Sequence, residues 1–127
     1  MSRTIPDHVR DFHRRFGHPA PAEPLTPKKV WVEQRKALIL EEARELCEAI
    51  DANDKVKIAR EACDLVYVAV GTMVAYGLPF MRCWLAVHSA NMNKAPAPEG
   101  QKPVKPEGWL PPDQEISLYI AEASEKQ

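Results

Sequence analysis

Apolar side chains recur every three or four positions from Lys28 to Leu78 with no proline among them, the pattern of helices that each bury one face. Leu38, Ile39, Leu46 and Ile50 draw such a face on a helix running from about residue 28 to 51. Thr26-Pro27 reads as its N-cap followed by a proline at the first helical position, where a missing N–H costs nothing. The polar break Asp51-Ala52-Asn53-Asp54 offers Asn53 or Asp54 as the cap of a second helix, which runs to about Tyr76 and stops at Gly77. So short a turn folds the two back as an antiparallel hairpin. Pro79 opens a third central helix to about Asn93, with Phe80, Trp84 and Val87 on one face. Ile5, Val9, Phe12 and Phe16 give a short amphipathic helix ahead of all three. Nothing alternates with period two for long enough to predict a strand, so the expectation is an all-α fold with a four-helix-bundle-like core.

Proline placement sets the domain plan. Of 12 prolines in 127 residues, five lie at or before Pro27 and six at or after Pro96. The stretch from Ala95 to Pro112 therefore predicts an extended arm, which Trp109 and Leu110 can anchor to the helices or to a neighbouring subunit. Ile116, Leu118, Tyr119 and Ile120 suggest a last short helix. The plan is a helical core over residues 1–94, then an arm and short helix over 95–127 that do not form an independent domain.

Composition narrows the class. Apolar residues make up 45% and charged residues 28%, which excludes a disordered polyelectrolyte. With 17 basic and 18 acidic side chains mixed along the chain, no nucleic-acid partner is expected. The start MSRTIPDHVRDFHRRFG has no apolar signal region, and the longest apolar run, Leu65 to Val70, falls far short of the roughly 20 residues that span a bilayer. A cytoplasmic protein without a membrane partner is expected. Cys47, Cys63 and Cys83 form no CxxC pair and predict reduced, mostly buried thiols. The histidines show no metal-ligand spacing, and His8, His13 and His18 are expected in solvent.

Several carboxylates sit where a buried face should be. Glu42 lies four residues after Leu38 and four before Leu46, so a helix burying those leucines turns Glu42 toward the core or a cleft rim. Glu45 follows about 60° round the helix, with Glu41 further toward the polar side. On the next helix Glu61 sits between Ile58 and Leu65, and Asp64 shares a side with Val68. Carboxylates crowded in a partly apolar cleft repel one another and lose hydration, at a cost of several kcal/mol unless a cation or hydrogen-bond donors compensate. A hard divalent ion is the simplest compensator, Mg²⁺ above all, since it favours oxygen ligands and is commonly held by carboxylates together with substrate phosphates. The plainer alternative keeps Glu41, Glu48, Asp51 and Asp54 as solvated surface and pairs an interior Glu with Arg35, Arg44 or Arg60.

LILEEARELCEAI, then EACDLVYVAVG with fifteen residues between Glu45 and Glu61, resembles the EExxE and ExxD signature of the all-α nucleoside triphosphate pyrophosphohydrolases. This MazG-like group includes the dimeric dUTPases and phosphoribosyl-ATP pyrophosphohydrolase. The segment VHSANMNK, residues 87–94, is similar to the Asn and Lys motif after the fourth helix of many members, and the likeness covers roughly residues 10–112. The resemblance implies hydrolysis between the α and β phosphates of a nucleotide, giving monophosphate and pyrophosphate, with Mg²⁺ as cofactor and Mn²⁺ as a substitute. It implies Glu42, Glu45, Glu61 and Asp64 as metal ligands, and Glu41, Glu42 and Glu45 as the catalytic carboxylates. Glu41 would be either a further ligand or the residue that orients the attacking water. Asn91 and Lys94 would touch the phosphates. Arg35 would either aim at phosphate or pair with a carboxylate.

The reading that follows is a Mg²⁺-dependent enzyme clearing unwanted (deoxy)nucleoside triphosphates. A phosphoribosyl-ATP pyrophosphohydrolase and a non-catalytic helical nucleotide-binding or dimerisation module are the alternatives. A helical core of about 80 residues buries little alone, and the apolar face from Ile58 to Val74 predicts a homodimer or homotetramer. Trp31 and Trp84 are expected in the core or at a subunit interface, and Trp109 on an arm that covers the nucleotide or locks a dimer.

Overall fold

The computed structural model describes residues 3–124 and contains five α-helices: α1 (Ile5–Arg15), α2 (Lys29–Asp51), α3 (Lys55–Ala75), α4 (Phe80–Met92) and α5 (Asp113–Ser124). No strand forms among the described residues, so the fold is all-α as the periodicity predicts. The chain divides between Leu78 and Pro79 into two compact units.

In the first unit, α1 begins with a reciprocal cap. Asp7 N donates to Thr4 Oγ1 at 3.4 Å, and Thr4 N donates to Asp7 Oδ2 at 3.0 Å. Pro6 sits in the first turn, where no backbone donor is needed. The α2–α3 hairpin turns through Asn53, whose φ of 50° is a left-handed geometry that asparagine tolerates. Asp54 then caps α3 by accepting from Lys57 N at 3.2 Å. Gly77 ends α3 with φ +65°, and a Cβ there would meet Glu23 O at 2.2 Å.

The start of α2 differs from expectation. Lys28 occupies the cap position with no side-chain cap, so Thr26 and Pro27 lie before the helix instead of opening it. The cause is tertiary, because Leu25 N donates to Tyr76 O at 3.0 Å and holds this stretch against the end of α3. Pro79 likewise is the cap of α4 and not its first helical residue.

α3 packs on both α1 and α2 around Val9, Ala49, Val70, Val74 and Ala75. Phe12 meets Tyr67 edge-on with centroids 5.4 Å apart. Cys83 is buried, but Cys47 and Cys63, expected to be buried too, are exposed. His18, expected in solvent, is half-buried with its ring 4.9 Å from that of Trp31. His13, also expected in solvent, is 2% exposed. Its Nδ1–H donates to Pro19 O at 2.7 Å, and burial lowers its pKa, so the neutral ring is the form that packs here.

In the second unit the proline-rich segment is ordered against its own helices. Ala95 and Val104 exchange backbone hydrogen bonds of 2.8 and 2.9 Å in an isolated antiparallel bridge. Trp109 Nε1 donates to Ala90 O on α4 at 2.7 Å, a tie worth about 1 kcal/mol. α5 docks on α4 through Arg82, which reaches Glu122 at 2.6 Å and covers the Tyr119 ring at 4.1 Å. No helix among the described residues is long and apolar enough to cross a membrane.

Candidate metal centre

Helical spacing brings the acidic motifs together inside the first unit. α2 places Glu42 and Glu45 one turn apart, and the hairpin sets them against Glu61 and Asp64 of α3. Carboxylate oxygens of Glu42, Glu61 and Asp64 lie within 4.8 Å of one another, as do those of Glu41, Glu42 and Glu45. Glu42 belongs to both groups and is the hinge of the cluster. Glu61 is buried, Glu42 and Glu45 are half-buried, and Glu41 stands at the exposed edge.

Charge in this cluster is only partly compensated. Arg60 donates to Glu61 Oε1 from Nη2 at 3.0 Å and from Nε at 3.3 Å. Glu61 Oε2 and Glu42 Oε2 are buried and receive no hydrogen bond from a basic, hydroxyl or amide group. A carboxylate oxygen left so is unfavourable in the absence of a counter-charge or a proton. Burial, followed by the charges of Glu45, Asp64 and Glu61 and a carboxyl–carboxyl hydrogen bond with Glu61, pushes the Glu42 carboxyl up to about 7. Burial also raises Glu45, with Glu61 adding to the effect. The hydrogen bonds from Arg60 hold Glu61 below the usual carboxylate range in spite of its burial. The pair raises Arg60 reciprocally.

These residues fit a hard divalent cation. Every donor is a carboxylate oxygen, which suits Mg²⁺ or Mn²⁺ and not a soft metal, and two buried oxygens have no basic or amide partner. Glu42, Glu45, Glu61 and Asp64 are the residues that could hold it.

The other sequence candidates have different surroundings. Arg35 on α2 is 4% exposed. Its Nη2 donates to Val68 O at 2.8 Å and its Nε to Thr72 Oγ1 at 3.3 Å, so it ties α2 to α3, and among the described residues no carboxylate pairs with it. Gly71 makes room for it, since a Cβ there would stand 2.6 Å from Arg35 Nη2 and 3.0 Å from His13 Nε2. Asn91 and Lys94 belong to the second unit, at the end of α4 and just past it. Asn91 is exposed, while Lys94 Nζ lies 5.4 Å from the Trp109 ring centre. Lys105 Nζ lies 5.0 Å from the same ring, and sequence reasoning missed it. A cleft of about 590 Å³ runs along this unit between Ser89, Asn93, Trp109 and Asp113. Its only sequence signal was a tryptophan among prolines.

The family profile described as phosphoribosyl-ATP pyrophosphohydrolase matches residues 9–91, nearly two thirds of the chain, and takes in both acidic motifs. No individual curated protein matches the chain. With the carboxylates of those motifs converging on one site, the profile identifies the chain as a member of the phosphoribosyl-ATP pyrophosphohydrolase family, a hydrolase acting on the phosphoric anhydride bonds of nucleotides.

Proposed function

We propose that the protein hydrolyses (deoxy)nucleoside triphosphates between the α and β phosphates, with Mg²⁺ bound by Glu42, Glu45, Glu61 and Asp64 and Mn²⁺ able to replace it. The observation that carries this reading is Glu42, common to both carboxylate groups and holding a buried oxygen with no donor. When bound, the cation neutralises phosphate charge and lowers the pKa of the attacking water. Glu41, at the open edge of the cluster and next to Glu42, orients that water and accepts its proton. Water attacks a phosphorus of the α–β anhydride, the bridging bond breaks, and its electron pair leaves with the departing fragment. The family resemblance assigns Asn91 and Lys94 to phosphate binding. Arg35 acts by holding α2 and α3 in register, through its bonds to Val68 and Thr72.

Phosphoribosyl-ATP is the second reading, favoured by the description of the matching family. The protein works in the cytoplasm as a homodimer or homotetramer. Apolar side chains left in solvent on α3 and α4, among them Val66, Trp84 and Leu85, support the association. Incubating the purified protein with Mg²⁺ and a panel of ribo- and deoxyribonucleoside triphosphates and phosphoribosyl-ATP, with all phosphate products resolved, tests the proposal. Monophosphate plus pyrophosphate is the expected outcome. Release of single phosphates, or no turnover with either metal, would contradict it.

A further inference from the structure

Beside the carboxylate cluster, toward the hairpin turn, lies a pocket of about 230 Å³ lined by Glu45, Glu48 and Ala49 of α2 and by Lys57, Arg60 and Glu61 of α3. It is smaller than the roughly 300–1,000 Å³ that encloses a whole small ligand, so it suits one part of a substrate. Glu48 is paired with Arg44 at 3.0 Å. The remaining charges, Glu45 and Glu61 against Lys57 and Arg60, balance. Lys57 makes no ion pair among the described residues, and the Arg60 side chain is 65% exposed although its head is fixed on Glu61.

We propose that this pocket is the subsite for the polyphosphate tail, with Arg60 exchanging its bond to Glu61 for a phosphate oxygen when the carboxylates take up a divalent cation. This rests on the proposed function and adds the grip on the leaving pyrophosphate. The exchange follows from the charges. In the metal-free chain Arg60 is the counter-ion of Glu61, and the balanced pocket has little attraction for an anion. Once Glu45 and Glu61 are neutralised by a cation, Arg60 and Lys57 are left in excess beside it. A guanidinium is then free for bidentate contact with phosphate, and the Lys57 ammonium adds a point charge. Tail binding is thereby coupled to metal loading.

Calorimetric titration of inorganic pyrophosphate into wild type, Arg60→Gln, Arg60→Lys and Lys57→Gln, each with and without saturating Mg²⁺, tests the subsite. Wild type should bind pyrophosphate only with Mg²⁺, Arg60→Gln should bind at least tenfold more weakly, Arg60→Lys should retain part of the affinity, and Lys57→Gln should lose severalfold. Equal affinity in wild type and Arg60→Gln, or no binding by metal-loaded wild type, overturns the proposal. Nucleotide turnover is read separately. Arg60-dependent pyrophosphate binding without turnover would overturn the proposed activity and leave the subsite standing, while turnover with pyrophosphate affinity indifferent to Arg60 would do the reverse.

Discussion

Arg35 and Glu61 are buried to nearly the same degree, 4% and 6% exposed, on the same pair of packed helices, yet their surroundings are opposite. Arg35 donates to a carbonyl and a hydroxyl of α3 and sits in a space that Gly71 leaves open. Glu61 keeps one buried oxygen without a donor and faces Glu42, which has the same defect. A buried charge with its hydrogen bonds made belongs to the architecture. One left unsatisfied among like charges is a place where a proton or a bound cation is favoured. The same hairpin thus carries a finished polar joint toward α1 and an unfinished one toward its turn.

The contrast can be broken from either side. The largest effect is expected at the unfinished joint, where Glu42→Gln should lower Mg²⁺-dependent turnover at least a hundredfold, about 3 kcal/mol of transition-state stabilisation, with the fold intact by circular dichroism. At the finished joint the loss should be one of stability. Arg35→Ala removes packing and two hydrogen bonds and should lower the unfolding free energy in urea by roughly 2–3 kcal/mol, equally with and without metal. Gly71→Ala drives a methyl against Arg35 and His13 and should cost about 1–2 kcal/mol in the same assay.

Two pH effects sharpen the comparison further. Because the folded-state pKa of Glu42 is raised to about 7 from 4.5, the folded protein holds a proton there that the unfolded chain has released. Its contribution to stability is full below pH 4.5 and is lost as the pH rises through 7. Metal-free Glu42→Gln should therefore melt higher than wild type at pH 8, by on the order of 1 kcal/mol once solvent screening is allowed for, and no higher at pH 4. His13 works the other way. Its folded pKa is lowered from 6.5 by burial, so its contribution is present above that value and lost as the pH falls through the lowered one. Acid melts of His13→Gln should show a flatter decline than wild type, the smallest of these effects.

Much of the fold and of the acidic site was legible in the sequence, because both rest on one periodicity. Three-to-four spacing marks α2 and α3, and the same spacing shows Glu42 among leucines and Glu61 between Ile58 and Leu65. What escaped depends on partners distant in the chain. Arg35 finds its acceptors 33 and 37 residues away, so no local pattern distinguishes a structural arginine from one aimed at phosphate. His13 adjoins Phe12 in sequence, yet only the return of the chain at Pro19 supplies the carbonyl that makes its burial tolerable. Thr26-Pro27 has the chemistry of a helix start, and the Leu25–Tyr76 bond overrides it. The Lys94, Trp109 and Lys105 arrangement needs the Ala95–Val104 bridge, which two isolated residues cannot announce.

Thermal melting of wild type and Glu42→Gln, metal-free and then with Mg²⁺ or Mn²⁺, tests most directly whether the orphaned carboxylate oxygens are a metal site. Metal at ten times its dissociation constant should stabilise wild type by about 1.4 kcal/mol, a rise of roughly 3–6 °C, and leave Glu42→Gln unmoved. An equal rise in both proteins, or none in wild type at any metal concentration, would mean that the cluster on α2 and α3 does not bind the ion.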